Sequence, residues 1–228
     1  MSRKILLLGH RGAWRYAPQN TFAAFDLAMA HGLDGFEFDI RATSDRRAVI
    51  CHNPSFNHLN ISRSTWERLR STCTVAEHSL PSLDDLLQRY SRKTFLNLEV
   101  KIRHIERLVY ESFRKNPPQR GYFISSFFPS VLREFHQIDA SLMLGIVARR
   151  FWQLRHWDAV PAKYVVPRYQ LLSRRLVEEV HAAKKLLVTW KVNTRRQMLH
   201  AAELGVDGII SADTKLLAET FAVSGHEF

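Results

Sequence analysis

The chain has 228 residues, 46% of them hydrophobic and 24% charged, with 33 Lys and Arg against 22 Asp and Glu for a formal net charge of +11. That balance belongs to a folded domain and excludes a disordered or low-complexity protein. The longest early apolar run, Ile5 to Leu8, falls far short of the roughly 20 residues a spanning helix needs.

Read in chain order, short apolar runs alternate with helical patterns. Lys4 to Gly9 is a predicted strand. Asn20 to His31 is a predicted helix, with Phe22, Phe25, Ala28 and Met29 along one face. Gly35 to Ile40 is a strand, and Ala48 to His52 a shorter extended piece that reads as its hairpin partner. Leu83 to Tyr90 is a helix opened by the N-cap Ser82. A strand over Phe95 to Val100 precedes a helix over Ile105 to Phe113, which Pro117 and Pro118 stop. Further strands fall at Tyr122–Ser125, Leu142–Val147, Tyr164–Val166, Leu186–Trp190 and Gly208–Ile210. Between them lie helices at Pro129–Gln137, Arg150–Trp157, Ser173–Ala183 and Thr194–Leu204, and a last helix covers Lys215 to Phe221. Without the hairpin piece there are eight strands alternating with helices, which predicts a parallel sheet closed as a (β/α)₈ TIM barrel. No G-x-G-x-x-G follows a strand, so a dinucleotide-binding fold is excluded. The expected organisation is a single domain over 1–228, with a short cap or insertion at about 53–80.

Cys51 and Cys73 cannot build a disulfide framework and lack metal-ligand spacing. With no signal peptide before Gly9, the expected compartment is the cytoplasm. The positive charge is scattered, its densest pairs being Arg46-Arg47, Arg149-Arg150, Arg174-Arg175 and Arg195-Arg196. It reads first as solvated surface, and second as attraction to anionic substrates or to an anionic membrane surface. No recognition motif for a specific nucleic acid accompanies it.

In a barrel of this kind the active site lies at the C-terminal ends of the strands. Four positions there are unusually polar: Gly9-His10-Arg11-Gly12, Glu37-x-Asp39, His52-Asn53 and Glu99-x-Lys101. Residues i and i+2 of a strand share a face, so Glu37 pairs with Asp39 and Glu99 with Lys101, while Phe36 and Phe38 take the opposite face. Three carboxylates converging on one mouth repel one another without a cation, and all-oxygen ligation suits Mg²⁺ or Ca²⁺. His10 and His52 are candidates for a general acid and base. Arg11 and Lys101 add fixed positive charge that would stabilise a phosphate oxyanion.

The ordered set His10-Arg11-Gly12, Pro18-Gln19-Asn20-Thr21, Glu37-x-Asp39, Thr43-x-Asp45, His52 and Glu99-x-Lys101 resembles the glycerophosphodiester phosphodiesterase family. Ser125-Ser126-Phe127, Trp190-x-Val192-Asn193 and Gly205-Val206-Asp207-Gly208-Ile209 extend the resemblance over roughly Leu6 to Asp213. The resemblance implies a TIM barrel that hydrolyses glycerophosphodiesters to sn-glycerol 3-phosphate and an alcohol with a divalent metal ion. It makes His10 and His52 the acid–base pair and Glu37, Asp39 and Glu99 the metal ligands. Arg11 and Lys101 become phosphate contacts and Trp190 a wall against the glycerol moiety, with Phe127 and Ser126 as further candidate substrate-wall residues.

The chain departs from the family pattern at Asn53, where Asp is usual, at Gln19 for Glu, at Lys191 for Thr, and after Asp213, where the usual Pro is absent. Phe56 to Ser79 is shorter than the family's capping insertion, which predicts a more open mouth. Two other readings stand beside the first: a lysophospholipase D-type activity on lysophospholipids, and a barrel that binds phosphodiesters without catalysis.

Overall fold

A computed structural model describes residues 5–73 and 80–222. The first strand, β1 (Leu6–His10), leads into α1 (Phe22–Ala30). Next, β2 (Gly35–Ala42) turns back as the antiparallel β3 (Ala48–Ile50). A small excursion follows, with the hairpin β4 (Ser55–Phe56) and β5 (Leu59–Asn60), a 3₁₀ turn, and α2 (Trp66–Arg70). The regular alternation then resumes with α3 (Leu83–Tyr90), β6 (Phe95–Val100), α4 (Glu106–Lys115), β7 (Tyr122–Ser126), α5 (Pro129–Ile138) and β8 (Leu144–Ala148). It ends with β9 (Tyr164–Pro167), α6 (Arg174–Ala182), β10 (Leu186–Trp190), α7 (Arg195–Glu203), β11 (Gly208–Ser211) and α8 (Thr214–Ala222).

Eight strands are parallel neighbours in the order β1-β2-β6-β7-β8-β9-β10-β11, and β1 pairs with both β2 and β11. The sheet therefore closes on itself as the (β/α)₈ barrel that the alternation predicts. The barrel interior is filled by Leu8, Phe123, Val147, Val166, Val188 and Ile210. The larger core lies between sheet and helices. There Phe36 stacks on Phe25 of α1 with ring centroids 4.3 Å apart, and Tyr90 of α3 meets Phe36 edge-on. Each of these buried side chains contributes roughly 1.5–3 kcal/mol through removal of apolar surface from water. This packing holds the outer face of β2 against the helices and leaves its inner face to Glu37 and Asp39.

Side-chain caps start the helices where the pattern breaks. Thr21, Ser82, Ser173 and Thr194 each accept a backbone N–H of the following turn, a bond worth about 1 kcal/mol. Glycine has a positional reason at Gly12. Its φ is +76°, and a Cβ there would lie 2.6 Å from the Ala24 carbonyl carbon. Only glycine lets the loop after β1 fold down onto α1.

Several boundaries differ from expectation. Lys4 of the predicted first strand lies outside the described residues, as do residues 74–79 of the predicted cap; β1 runs on to include His10. The strand predicted at Leu142–Val147 begins at Leu144, because the Asp139 carboxylate accepts the Ser141 backbone N–H and hydroxyl and holds 139–142 as a turn. The hairpin strand stops at Ile50, short of His52. The helix predicted over Arg150–Trp157 is a 3₁₀ segment, Phe151–His156; the Gln153 side chain accepts the backbone N–H groups of Arg149 and Arg150 and tightens its first turn. The excursion after β3 packs on a satellite core of Val49, Ile61, Trp66, Leu69 and Leu80. No helix among the described residues is long and apolar enough to cross a membrane.

Candidate active site

β1, β2 and β6 are adjacent, so their C-terminal ends bring the predicted residues together. In register His10 sits beside Glu37, and Asp39 beside Glu99. Carboxylate oxygens of Glu37, Asp39 and Glu99 all lie within 4.8 Å of one another. His10 is buried, with Nε2 3.8 Å from a Glu37 oxygen. Arg11, in the left-handed region at φ 54°, donates its backbone N–H to Glu37 Oε2 at 2.9 Å. Its guanidinium Nε lies 3.1 Å from Asp39 Oδ2, and Nη1 donates to Gln19 Oε1 at 2.5 Å. Lys101 Nζ bridges Glu99 Oε1 at 2.5 Å and Asp39 Oδ1 at 3.2 Å.

The electrostatics follow from burial in a crowded site. Burial, then the charges of Asp39 and Glu99, push the Glu37 carboxyl well above its usual range. Burial also raises Glu99, against the pull of Lys101. Burial works to raise Asp39 as well, yet Lys101 and Arg11 outweigh it and hold that carboxyl below its usual value. The Lys101 ammonium is disfavoured by burial but stabilised more strongly by Glu99 and Asp39, so its pKa rises. Burial, with Arg11 adding to it, drives the His10 imidazole down to about 3. The half-buried His52 is also lowered, first by burial. Both imidazoles are therefore neutral in the free site near neutral pH.

Fully ionised, the three carboxylates leave one net negative charge against the two cations, with the histidines neutral. A divalent cation would turn this into one net positive charge, which matches a phosphodiester monoanion. Glu37 Oε1 is buried without a hydrogen-bond partner, and a hard cation is the group that such an oxygen trio satisfies. The residues present therefore fit a divalent metal ion.

His52 stands across from this cluster, past the end of β3. Its Nδ1 lies 2.9 Å from Asn53 Oδ1. An amide oxygen only accepts, so Nδ1 carries the proton and Nε2 keeps its lone pair. Asn53 thus fixes the tautomer without adding a charge. The His52 carbonyl accepts two bonds from Arg41, at 3.0 Å from Nε and 2.8 Å from Nη2. Phe127 and Trp190 meet edge-on over the barrel interior at 5.7 Å, and the Trp190 indole donates to the Val166 carbonyl at 3.0 Å. Lys101 Nζ lies 5.4 Å from the Phe127 ring centroid.

One substrate-wall expectation is corrected. Ser126 is fully buried, donates to the Val100 carbonyl and accepts the Phe128 N–H, so its hydroxyl is committed to the turn after β7. Three positioning residues stand outside the predicted set. Asn20 donates to Asp39 at 2.9 Å and accepts its backbone N–H, and Gln19 holds Arg11. Both stand in the quoted Pro18–Thr21 motif. Arg41 continues the i+2 series Glu37, Asp39, Arg41, and that alternation was the available signal.

The model of the glycerophosphoryl diester phosphodiesterase family matches residues 10–216. A glycerophosphodiester phosphodiesterase of Caldanaerobacter subterraneus subsp. tengcongensis is 26% identical over 235 residues, covering 94% of this chain and 96% of that protein. Another, from Bacillus altitudinis, is 24% identical over 230 residues, covering 90% and 93%. Among solved structures, an Oleispira antarctica phosphodiesterase in complex with the product sn-glycerol-3-phosphate superposes with a TM-score of 0.83 at 20% identity, over 95% of this chain and 96% of that one; at that identity the likeness carries the fold. With the family model spanning every polar strand end described above, the chain belongs to the glycerophosphoryl diester phosphodiesterase family, enzymes that hydrolyse glycerophosphodiesters.

Proposed function

We propose that this chain hydrolyses glycerophosphodiesters to sn-glycerol 3-phosphate and an alcohol at the mouth over β1, β2 and β6. His10 and His52 act as the acid–base pair, and Glu37, Asp39 and Glu99 hold a divalent ion, Mg²⁺ or Ca²⁺. The observation that carries this reading is the convergence of three carboxylates, two imidazoles, Arg11 and Lys101 on one small volume. A cation held by the carboxylates supplies Lewis-acid polarisation of a phosphate oxygen. Arg11 and Lys101, each anchored to a carboxylate, keep fixed positive charge aimed at the phosphate without reorganising as charge develops.

The P–O bond to the alcohol breaks. The attacking hydroxyl is that of water, or the substrate's own glycerol 2-hydroxyl, which gives a cyclic phosphate that water then opens. In each displacement it gives its proton to one imidazole, and the leaving alkoxide takes a proton from the other, held as imidazolium. The free Nε2 lone pair of His52 suits proton acceptance. A bound phosphate anion favours the imidazolium, so substrate raises the proton affinity that burial lowers in the free site. Trp190 and Phe127 form the apolar wall for the glycerol carbons. The catalytic unit is the whole barrel, with 53–80 as its insertion. The two free thiols, Cys51 and Cys73, suit a reducing cytoplasm.

The test is release of sn-glycerol 3-phosphate from glycerophosphocholine by metal-stripped protein, before and after addition of Mg²⁺ or Ca²⁺, beside His10→Ala. Metal-restored turnover that the variant lacks is the expected result. Equal turnover by His10→Ala overturns the acid–base assignment, and full activity after metal removal overturns the metal role.

A further inference from the structure

The mouth has a second side, beyond the Trp190 wall. The segments that follow β8, β9 and β10 (residues 149–158, 168–175 and 191–196) contain nine Lys or Arg and a single acid, Asp158. All three begin at strand C-termini, so they share the face on which the site opens. Arg149, Arg150, Arg195 and Arg196 are exposed; Lys191 is exposed too, but its ammonium lies 5.2 Å from the Trp14 ring centroid, on the His10 side of the mouth. Arg175 is exposed too and pairs with Glu179 one turn along α6.

Into this basic rim the chain sets two aromatic side chains. Phe151 is 71% exposed and Trp152 60%, whereas the other large hydrophobics that stand exposed reach at most 45%. Their exposure does not come from a loose loop. Gln153 ties down the backbone of Arg149 and Arg150, Leu154 packs against the core, and Lys185 Nζ stacks 5.5 Å from the Trp157 ring centroid. A braced segment that holds Phe and Trp out in water, flanked by Arg149, Arg150 and Arg155, is otherwise unfavourable and marks an interaction surface.

We propose that this rim is a docking surface for an anionic lipid bilayer, on which the barrel sits with its mouth towards the headgroups. Trp and Phe favour the headgroup–acyl boundary, where an apolar ring is buried and the indole N–H stays hydrated. The arginines supply attraction to anionic headgroups that acts within a Debye length of the surface. A polyanion without bases, such as heparin, would use the charges but gives the two aromatics no apolar layer to enter, and the sequence carries no nucleic-acid recognition motif, so the bilayer is favoured.

The experiment is flotation of the full chain with vesicles of phosphatidylcholine, alone or with about one third phosphatidylglycerol. Expected is binding to the anionic vesicles at least about tenfold tighter than to phosphatidylcholine, weakened by salt. Phe151→Ser with Trp152→Ser, and separately Arg149→Ser with Arg150→Ser, are each expected to weaken binding about tenfold with thermal midpoint and circular dichroism unchanged. Acyl-brominated lipid is expected to quench tryptophan emission in the wild-type chain and not in Trp152→Phe, a variant that keeps binding. No preference for anionic vesicles overturns the proposal. So does an aromatic double variant that floats like wild type, or heparin binding as tight as vesicle binding and equally indifferent to Phe151 and Trp152. None of these readouts needs turnover, so they stand apart from the phosphodiesterase reading.

Discussion

The two sides of the barrel mouth use charge in opposite ways. Over β1, β2 and β6 the charged groups are buried and interlocked: Lys101 between Glu99 and Asp39, Arg11 between Asp39 and Gln19. Over β8, β9 and β10 they are mostly exposed, nearly all of one sign, and share their face with two solvent-facing aromatics. A buried charge is tolerable only when partners replace the water it has lost. An exposed one is screened and contributes little to stability. The first side therefore supplies a preorganised field for chemistry, and the second a long-range attraction that leaves the fold indifferent to its details.

The largest expected effect that would break this contrast is catalytic. His10→Ala and His52→Ala should each lower kcat on glycerophosphocholine by about 10²–10⁴-fold, the usual range for a lost acid or base, with the fold retained by circular dichroism. Next comes the interlock. Lys101→Met leaves Asp39 and Glu99 without their shared cation and should destabilise the chain by about 3–5 kcal/mol, measured by denaturant unfolding, as for a broken buried ion pair. If Lys101→Met is as stable as wild type, the site is wetter than its burial indicates.

A third prediction concerns protons. Because Glu37 is held well above its usual range, a metal ion competes with a proton for it. Metal affinity should fall as pH is lowered, by at most about tenfold per pH unit for one displaced proton. Calorimetry in buffers of different ionisation enthalpy reads this proton release directly. A fourth uses Asn53. Asn53→Asp places a carboxylate on His52 Nδ1 and stabilises the imidazolium. His52 is lowered by burial, so its neutral form persists below its ordinary pKa; in the variant the acid limb of kcat/KM should move to higher pH. The smallest effect belongs to the other side of the mouth. Arg195→Ser with Arg196→Ser should change unfolding free energy by no more than about 0.5 kcal/mol and leave turnover of soluble substrate unchanged.

Much of this arrangement is legible in the sequence. Alternation of apolar runs and helical patterns predicts the eight strands and the closed barrel, because strand and helix periods differ and each strand must be covered on both faces. The i+2 spacing of Glu37 and Asp39, and of Glu99 and Lys101, assigns them to the inner face from the strand period alone. Other features depend on which turn forms. Asn20 and Gln19 become partners of Asp39 and Arg11 only because Gly12 lets the loop after β1 fold back onto α1. Arg41 finds the His52 carbonyl because β2 extends past the barrel and returns as β3. Ser126 carries no mark in sequence that its hydroxyl will close a turn.

The sequence by itself determined the barrel, the polar strand ends and the inner faces of β2 and β6, since these follow from local period and from the burial that a closed parallel sheet imposes. Tertiary structure alone decided which carboxylate is raised and which lowered, since proton affinity depends on distances between β1, β2 and β6. It also gathered arginine pairs that are scattered along the chain onto the face that carries Phe151 and Trp152. That clustering arises because parallel strands deliver all their C-terminal loops to a single face, whatever their separation in sequence.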